Sequence, residues 1–455
     1  MPDAANSLQF DAIARFALDP ALAVPEDVLL RMSTLLIDTL GVAAGASGLD
    51  VAVIARDYAC DYHGANRVEH AATLMFDGRR CSLPGAAWAL ATQIDNLDGH
   101  DGYNPTKGHI GCALVPALFA LAEHRPDLSG RQALAALVMG YEVAARAAVA
   151  LHATVADYHT SGAWNALGVA ALGSHLRGHG MEVFRQALGI AEYHGPRSQM
   201  MREIDNPTML RDGSGMGAYV GMSAALLAER GFTGAPAITV EGPEVAHVWG
   251  DLGQDWTVMC NYIKPYPICR WAHGALEALR QLMAAHDFAA EEVAGMRVGT
   301  FAYSARLFAG APQDTRQAQY SLGFALAVLL VHGRIAPEHV TGDGLRDPRV
   351  LAALDRIAVR EEPRHSARYP EGRWSDITIT LRDGREMSSG DVNARGGPED
   401  PLLEQEIRDK LFRMAGAALS DGRIAAIWQM REALLDPACK FSQLAGLIHP
   451  ATDGP

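Results

Sequence analysis

The most constraining feature of this chain is a set of segments that are apolar nearly all the way round a helix and rich in Ala and Gly, at residues 82–97, 113–123, 130–151, 162–177 and 215–230. A helix with one apolar stripe can lie on a surface, but one that is apolar on most sides needs neighbours on several sides. Segments of this kind must bury one another, so the first 262 residues read as a stack of closely packed helices. Pro25 followed by Glu26 and Asp27 suits a helix start. Leu29, Leu30, Met32, Leu35, Leu36, Thr39 and Leu40 then form a broad apolar face, and Gly41 and Gly45 allow close packing or termination.

The pattern changes after Lys264. Residues 293–301 and 376–381 alternate as strands do, and Arg382-Asp383-Gly384 follows as a hairpin turn. Residues 315–332 and 347–357 read as helical, and 361–375, with Pro363, Pro370 and Gly372, as a loop. Helical spacing returns at Leu403, Ile407, Leu411 and Met414, then at Ile424, Ile427, Trp428 and Leu434. The simplest architecture is mainly α: a large all-helical domain built from both chain ends, residues 1–262 and 400–455, interrupted by a smaller α+β domain at 263–399.

Charge and composition exclude several functions. A net charge of −14 argues against general nucleic-acid binding, which needs a basic face. The most apolar runs, 113–122 and 323–331, fall short of the roughly 20 residues that cross a membrane. No signal-peptide pattern opens the chain. Six cysteines, with no CxxC pair among them, disfavour a disulfide framework or structural zinc, so a cytoplasmic location is expected. Only four of 39 basic side chains are lysine: Lys107, Lys264, Lys410 and Lys440. A chain that otherwise uses Arg can keep Lys where a compact, tunable ammonium is needed.

The densest polar cluster runs from Asp95 to Gly111 and includes Asp98, His100, Asp101, Lys107 and His109. Such a glycine-punctuated loop either supplies acids and bases or caps the next helix. Its spacing matches no metal-ligand pattern, and no metal is expected. His159, in Asp157-Tyr-His-Thr-Ser-Gly162, is a possible acid or base near neutral pH, or a helix-entry residue with Thr160 or Ser161 as cap. Arg211 precedes the glycines at 213, 215, 217 and 221, where a helix start could bind an anion. At the change of character, Lys264, Arg270 and His273 place three potential cations within ten residues, suited to carboxylate binding. Cys269 lacks an activating partner and reads as packing. GxSxG, HExxH and Walker A signatures are missing.

Taken in order, these motifs resemble the MmgE/PrpD family: Asp38-Thr-Leu-Gly41, Asp95 with His109-Ile-Gly111, Gly140-Tyr-Glu142, the His159 segment, Arg211-Asp-Gly213, Arg230-Gly-Phe-Thr-Gly234, the Lys264–His273 block and Ser321. The resemblance implies a helical domain with an inserted α+β lid, a homodimer, and no cofactor. It implies activities such as 2-methylcitrate dehydration, cis-aconitate decarboxylation and iminodisuccinate epimerisation. It places the family's catalytic aspartate on Asp95, its histidines on His109 and His159, and its junction lysine on Lys264. Three departures stand out. The Asp95–His109 loop is longer than usual, so Asp98 could replace Asp95. Arg211 stands for a lysine. The lid tyrosine of decarboxylase-like members falls on Phe324, which argues against cis-aconitate decarboxylation.

The expected function is a cofactor-independent lyase, resembling a 2-methylcitrate dehydratase, acting on a small di- or tricarboxylate. Lys264, Arg270 and Arg211 would anchor the carboxylates, with Asp98, His100 and His273 beside the substrate. His159 or Asp95 would abstract a proton α to a carboxylate, and His109 would protonate the leaving group. An epimerase using the same groups is the alternative, and a non-catalytic carboxylate-binding protein a third.

Overall fold

Why the small-residue helices form a core is clearest where the two chain ends meet. In the computed structural model, which describes residues 4–449, helix Glu26–Ala46 runs straight through Gly41 and Gly45. A Cβ on Gly41 would lie 2.7 Å from a Leu411 methyl, and one on Gly45 would lie 2.5 Å from the Met414 carbonyl oxygen. The two glycines therefore let helix Glu404–Ala415 seat against the N-terminal helix. Leu83–Asp95, Gly111–Ala122, Gly130–Thr154, Gly162–Arg177, Met181–His194 and Ser214–Glu229 complete this helical core. Asp421–Ala433 and Phe441–Ile448 add Ile424, Ile427, Leu444 and Ile448 to the same cluster. Ser129 closes a capping box at the start of Gly130–Thr154: its hydroxyl accepts from Gln132 N at 3.2 Å.

A second apolar core surrounds a four-stranded sheet. Val293–Thr300 lies parallel to Ile357–Glu361 and antiparallel to Ser375–Leu381, which pairs with Glu386–Ser388 across the expected turn. Ser375, Ile377, Ile379 and Leu381 face inward. Helices His273–Ala285 and Leu322–His332 contribute Leu276, Leu279, Leu326 and Leu329 to that core. The chain passes between the two cores near residue 263 and returns near 396, where Ile263 N donates to Gly396 O at 2.9 Å.

Several sequence readings need correction. The helix expected over 315–332 is two helices, Thr315–Gln319 and Leu322–His332, because the Ser321 hydroxyl accepts from Phe324 N and caps the second. The expected loop 361–375 begins inside strand Ile357–Glu361 and holds the short helix Pro363–Ser366. Helices Asp50–Tyr62 and Met181–His194 were not foreseen. Glu26–Ala46 and Gly130–Thr154 are long and apolar enough to cross a membrane by length and composition, but most of their residues are buried inside the helical core.

Candidate active site

The polar loop between helices Leu83–Asp95 and Gly111–Ala122 is held at almost every turn. Lys410 Nζ donates to Gly99 O at 2.7 Å and pairs with buried Asp38 at 2.7 Å. Gln319 Nε2 reaches Leu97 O at 2.7 Å, from the side of the second core. The Asp101 carboxylate accepts from Asn261 Nδ2 at 2.6 Å and from the Tyr141 hydroxyl at 3.3 Å. Burial pushes the Asp101 carboxyl up to about 6, against those two hydrogen bonds. Gly111 has to be glycine here: a Cβ would sit 2.2 Å from the Tyr141 hydroxyl and 2.4 Å from the Asp101 carboxylate.

This loop forms one wall of a cavity that leaves about 20 Å³ free, room for little more than a water, so a polycarboxylate enters only when the lining residues move apart. On the first side lie Asp98, His109 and Asp212. Asp98, in the left-handed region at φ 55°, turns its carboxylate onto the Lys264 ammonium, which also donates to Asp98 O at 3.0 Å. His109 Nδ1 lies 2.6 Å from Asp101 O. A carbonyl can only accept, so Nδ1 carries the proton and Nε2 is left with a lone pair. Burial and the neighbouring Lys264 charge hold the His109 imidazole below its ordinary range, so it is neutral at pH 7. Its amide donates to Ser161 Oγ at 3.0 Å, and that hydroxyl donates to Asp212 at 2.8 Å. His100 packs edge-on to His109 at 4.4 Å between ring centres.

The rest of the lining is cationic and aromatic. Lys107 sits 4.5 Å above the Tyr158 ring, and Arg270 sits 4.2 Å above Tyr262. Arg373 sits 4.8 Å above Tyr369. Arg270 donates only to the carbonyls of Arg395, at 2.5 Å, and Ala394, at 3.3 Å. Arg373 likewise donates from its side chain to carbonyls, those of Pro370 and Gly372. Burial pushes Arg270 down to about 10. Among the described residues, none of the three has a carboxylate within ion-pairing distance. Tyr320 also lines the cavity, and burial keeps it, Tyr158 and Tyr262 protonated at neutral pH. Asp98, His100 and His109 offer ligand atoms within 4.8 Å of one another. The Lys264 ammonium already neutralises Asp98, so a divalent ion there would meet a fixed positive charge.

The MmgE/PrpD N-terminal domain model matches residues 11–249, and the MmgE/PrpD C-terminal domain model matches residues 266–435. The chain belongs to the MmgE/PrpD family. It is 23% identical to the cis-aconitate decarboxylase of Mus musculus over 441 residues, covering 90% of this chain and 87% of the relative. It is 24% identical to that of Homo sapiens over 422 residues, covering 86% and 84%. The Aspergillus terreus (strain NIH 2624 / FGSC A1156) enzyme of the same name is 23% identical over 452 residues, covering 89% and 88%.

For this member of the MmgE/PrpD family, the structure brings Asp98, His109, Lys264 and Arg270 together, with His100 immediately behind. Asp95 is not at the cavity. It is buried behind His100, with one oxygen 3.7 Å from His100 Nε2 and the other accepting from Ser214 N at 3.2 Å. Burial and nearby Asp212 push the Asp95 carboxyl well above the usual range. His159 also points elsewhere: its segment bridges to Gln199, its ring stacks on His152 at 6.5 Å, and Tyr158 takes the place at the cavity. His273 turns inward, with Nε2 2.9 Å from Ile268 O. Arg211 lies over the Tyr320 ring at 4.8 Å, donates to Asn96 O at 3.3 Å, and borders a separate open recess with Asp95. Phe324 is buried in the second core, and three tyrosines, Tyr158, Tyr262 and Tyr320, line the cavity. Cys269, read as packing, lines the cavity, but burial and Asp98 push its thiol up to about 12. Asp212, Tyr262, Tyr320 and Arg373 were missed, and Lys107 was read only as a scarce lysine and a member of the polar loop, without a role of its own.

Proposed function

We propose that this protein is a lyase acting on a small di- or tricarboxylate, through negative charge developed next to a carboxylate. The observation that carries the reading is the pairing of a neutral His109, lone pair toward the cavity, with three cations that lack carboxylate partners. The cations bind and orient the substrate carboxylates and stabilise the enolate-like charge as it forms. His109 Nε2 takes the proton from the α carbon, replacing the roles first given to His159 and Asp95. Lys264, held by Asp98, stands beside His109 as the nearest fixed positive charge. Protonated Tyr262 and Tyr320 are the available hydrogen-bond donors toward an oxygen that gains charge. The β-hydroxyl then takes that proton back from the His109 imidazolium and leaves as water, which completes a dehydration and restores the neutral imidazole.

Decarboxylation is the second reading. It is favoured by Tyr320 in the cavity, by an apolar patch of Met200, Ile204 and Trp271 in the same lining, and by relatives named cis-aconitate decarboxylases. A carboxylate leaves more readily from a desolvated pocket, and the resulting carbanion needs the same cationic support.

Proton NMR in heavy water separates the readings. The protein is incubated with cis-aconitate, 2-methylcitrate, malate and iminodisuccinate, with and without EDTA. Loss of a C–H signal with a new alkene means dehydration, and release of carbon dioxide means decarboxylation. Exchange with inversion and no alkene means epimerisation. An unchanged spectrum with every acid would count against carbon-acid chemistry, and EDTA-sensitive turnover would return a metal to Asp98, His100 and His109.

A further inference from the structure

Lys107 and Arg373 reach the cavity from different parts of the chain. Lys107 belongs to the polar loop of the helical core, and Arg373 to the segment that leads into strand Ser375–Leu381. Arg373 is 2% exposed, and its Nε has no partner. Lys107 is half-buried, and its ammonium meets an aromatic face rather than an acid. The loop holds Lys107 in the left-handed region at φ 55°, a costly conformation for a side chain with a Cβ. It is fixed there by Lys107 N donating to Asn104 O at 3.1 Å, and by the Tyr158 hydroxyl donating to Lys107 O. Two cations without acidic partners thus face one space of about 20 Å³.

Like charges so placed repel. The repulsion shows in Lys107, whose ammonium burial and the Arg373 charge hold below the ordinary lysine range. An anion between them would relieve it. The same lining holds His109 and Asp98, the latter paired with Lys264.

We propose that Lys107 and Arg373 share a single substrate carboxylate. The inference rests on the proposed carboxylate-binding function and adds to it the two residues that read one of the carboxylates. A planar guanidinium gives a two-point grip on one face of the carboxylate, and an ammonium supplies a point charge on the other.

The test is calorimetric binding of propane-1,2,3-tricarboxylate to the full chain, Lys107→Gln, Arg373→Gln and the double variant, with thermal unfolding to confirm folding. Each single substitution is expected to weaken binding about 10-fold. Because the two groups share one anion, the double variant should lose little beyond either single one, about 20-fold rather than 100-fold. Lys107→Arg, which keeps the charge, should bind within about 3-fold of the parent. Unchanged binding in both single variants, or fully additive losses, would overturn the shared clamp while leaving the proposed function intact. A parent protein that binds no polycarboxylate would overturn that function, and the clamp with it.

Discussion

Lys410 is the buried cation on which the polar loop rests, and replacing it with Met tests that role. Its ammonium pairs with Asp38 at 2.7 Å and donates to Gly99 O at 2.7 Å, with both charged residues 1% exposed. Removing one member of a buried pair leaves the other uncompensated, at a cost of about 3–5 kcal/mol. Unfolding entropy near 2.1 cal/mol/K per residue comes to about 1 kcal/mol/K for 455 residues, so Tm should fall ~3–5 °C. Part of the deficit depends on pH. Burial already raises the Asp38 carboxyl against the pull of Lys410, and without Lys410 it rises further. A carboxyl with a higher pKa folded than unfolded binds a proton on folding, so its contribution to stability grows as pH falls. The deficit of Lys410→Met relative to the parent should therefore shrink between pH 8 and pH 5.5. Adding Asp38→Leu removes the stranded charge and should recover all but ~1 kcal/mol, the remainder reflecting the lost donor to Gly99. Thermal unfolding of the three proteins at pH 5.5, 7 and 8 is the assay. An unchanged Tm in the single variant, or a deficit that is flat with pH and not recovered in the double variant, would refute the reasoning.

Three further predictions concern chemistry. His109→Gln should lower turnover ~10²–10⁴-fold, while binding of propane-1,2,3-tricarboxylate measured by calorimetry changes less than about 3-fold. The base form of His109 is the one that works, and its pKa is depressed by burial and Lys264. The acid limb of kcat/KM should accordingly fall below the ordinary histidine range of about 6.5, and a limb above that value would exclude His109 as the base. His159→Ala should keep turnover within a few-fold, because its ring packs on His152 away from the cavity; a hundred-fold loss would show that it reaches the substrate. Cys269 should resist iodoacetamide at pH 8 while exposed Cys260 is labelled, as read by peptide mass spectrometry, since a thiol pushed up to about 12 has almost no thiolate there.

Helices that are apolar all round were legible in the sequence because their composition leaves no other use for them: Gly130–Thr154 and Gly162–Arg177 lie within a few residues of the ranges read. Strand Ile357–Glu361 was not legible. It is a mostly exposed edge strand of only five residues, and its parallel partner, Val293–Thr300, lies far back in the sequence. At the site, residue types were easier to read than directions. His159 and Tyr158 are consecutive in an extended segment, so one faces the cavity and the other faces away, and a motif gives no sign of which. Asp95 ends a helix, whereas Asp98 adopts a left-handed conformation that turns it toward Lys264. Arg373 was invisible for another reason: it lies in a segment that reads as loop, and only the folded sheet carries it to the cavity.

The distribution of charge joins the fold to the reaction. The chain carries −14 overall, so its long-range field repels small polyanions, and capture depends on a local reversal of sign. The cavity supplies that reversal unevenly. Lys264 cancels Asp98 and His109 is neutral, which leaves Asp212 as the one carboxylate of the lining without an ion-pair partner among the described residues. Lys107, Arg270 and Arg373 stand in the same lining without acidic partners. Three positive charges therefore face one uncancelled carboxylate, and the lining is left short of negative charge. A substrate with two or more carboxylates meets that need in the ground state. As negative charge develops at carbon, the same fixed cations act on it through a medium of low polarizability, where each is worth more than in water. In the proposed reaction, a neutral base set among unbalanced cations would let one small site both hold a polyanion and draw a further proton from it.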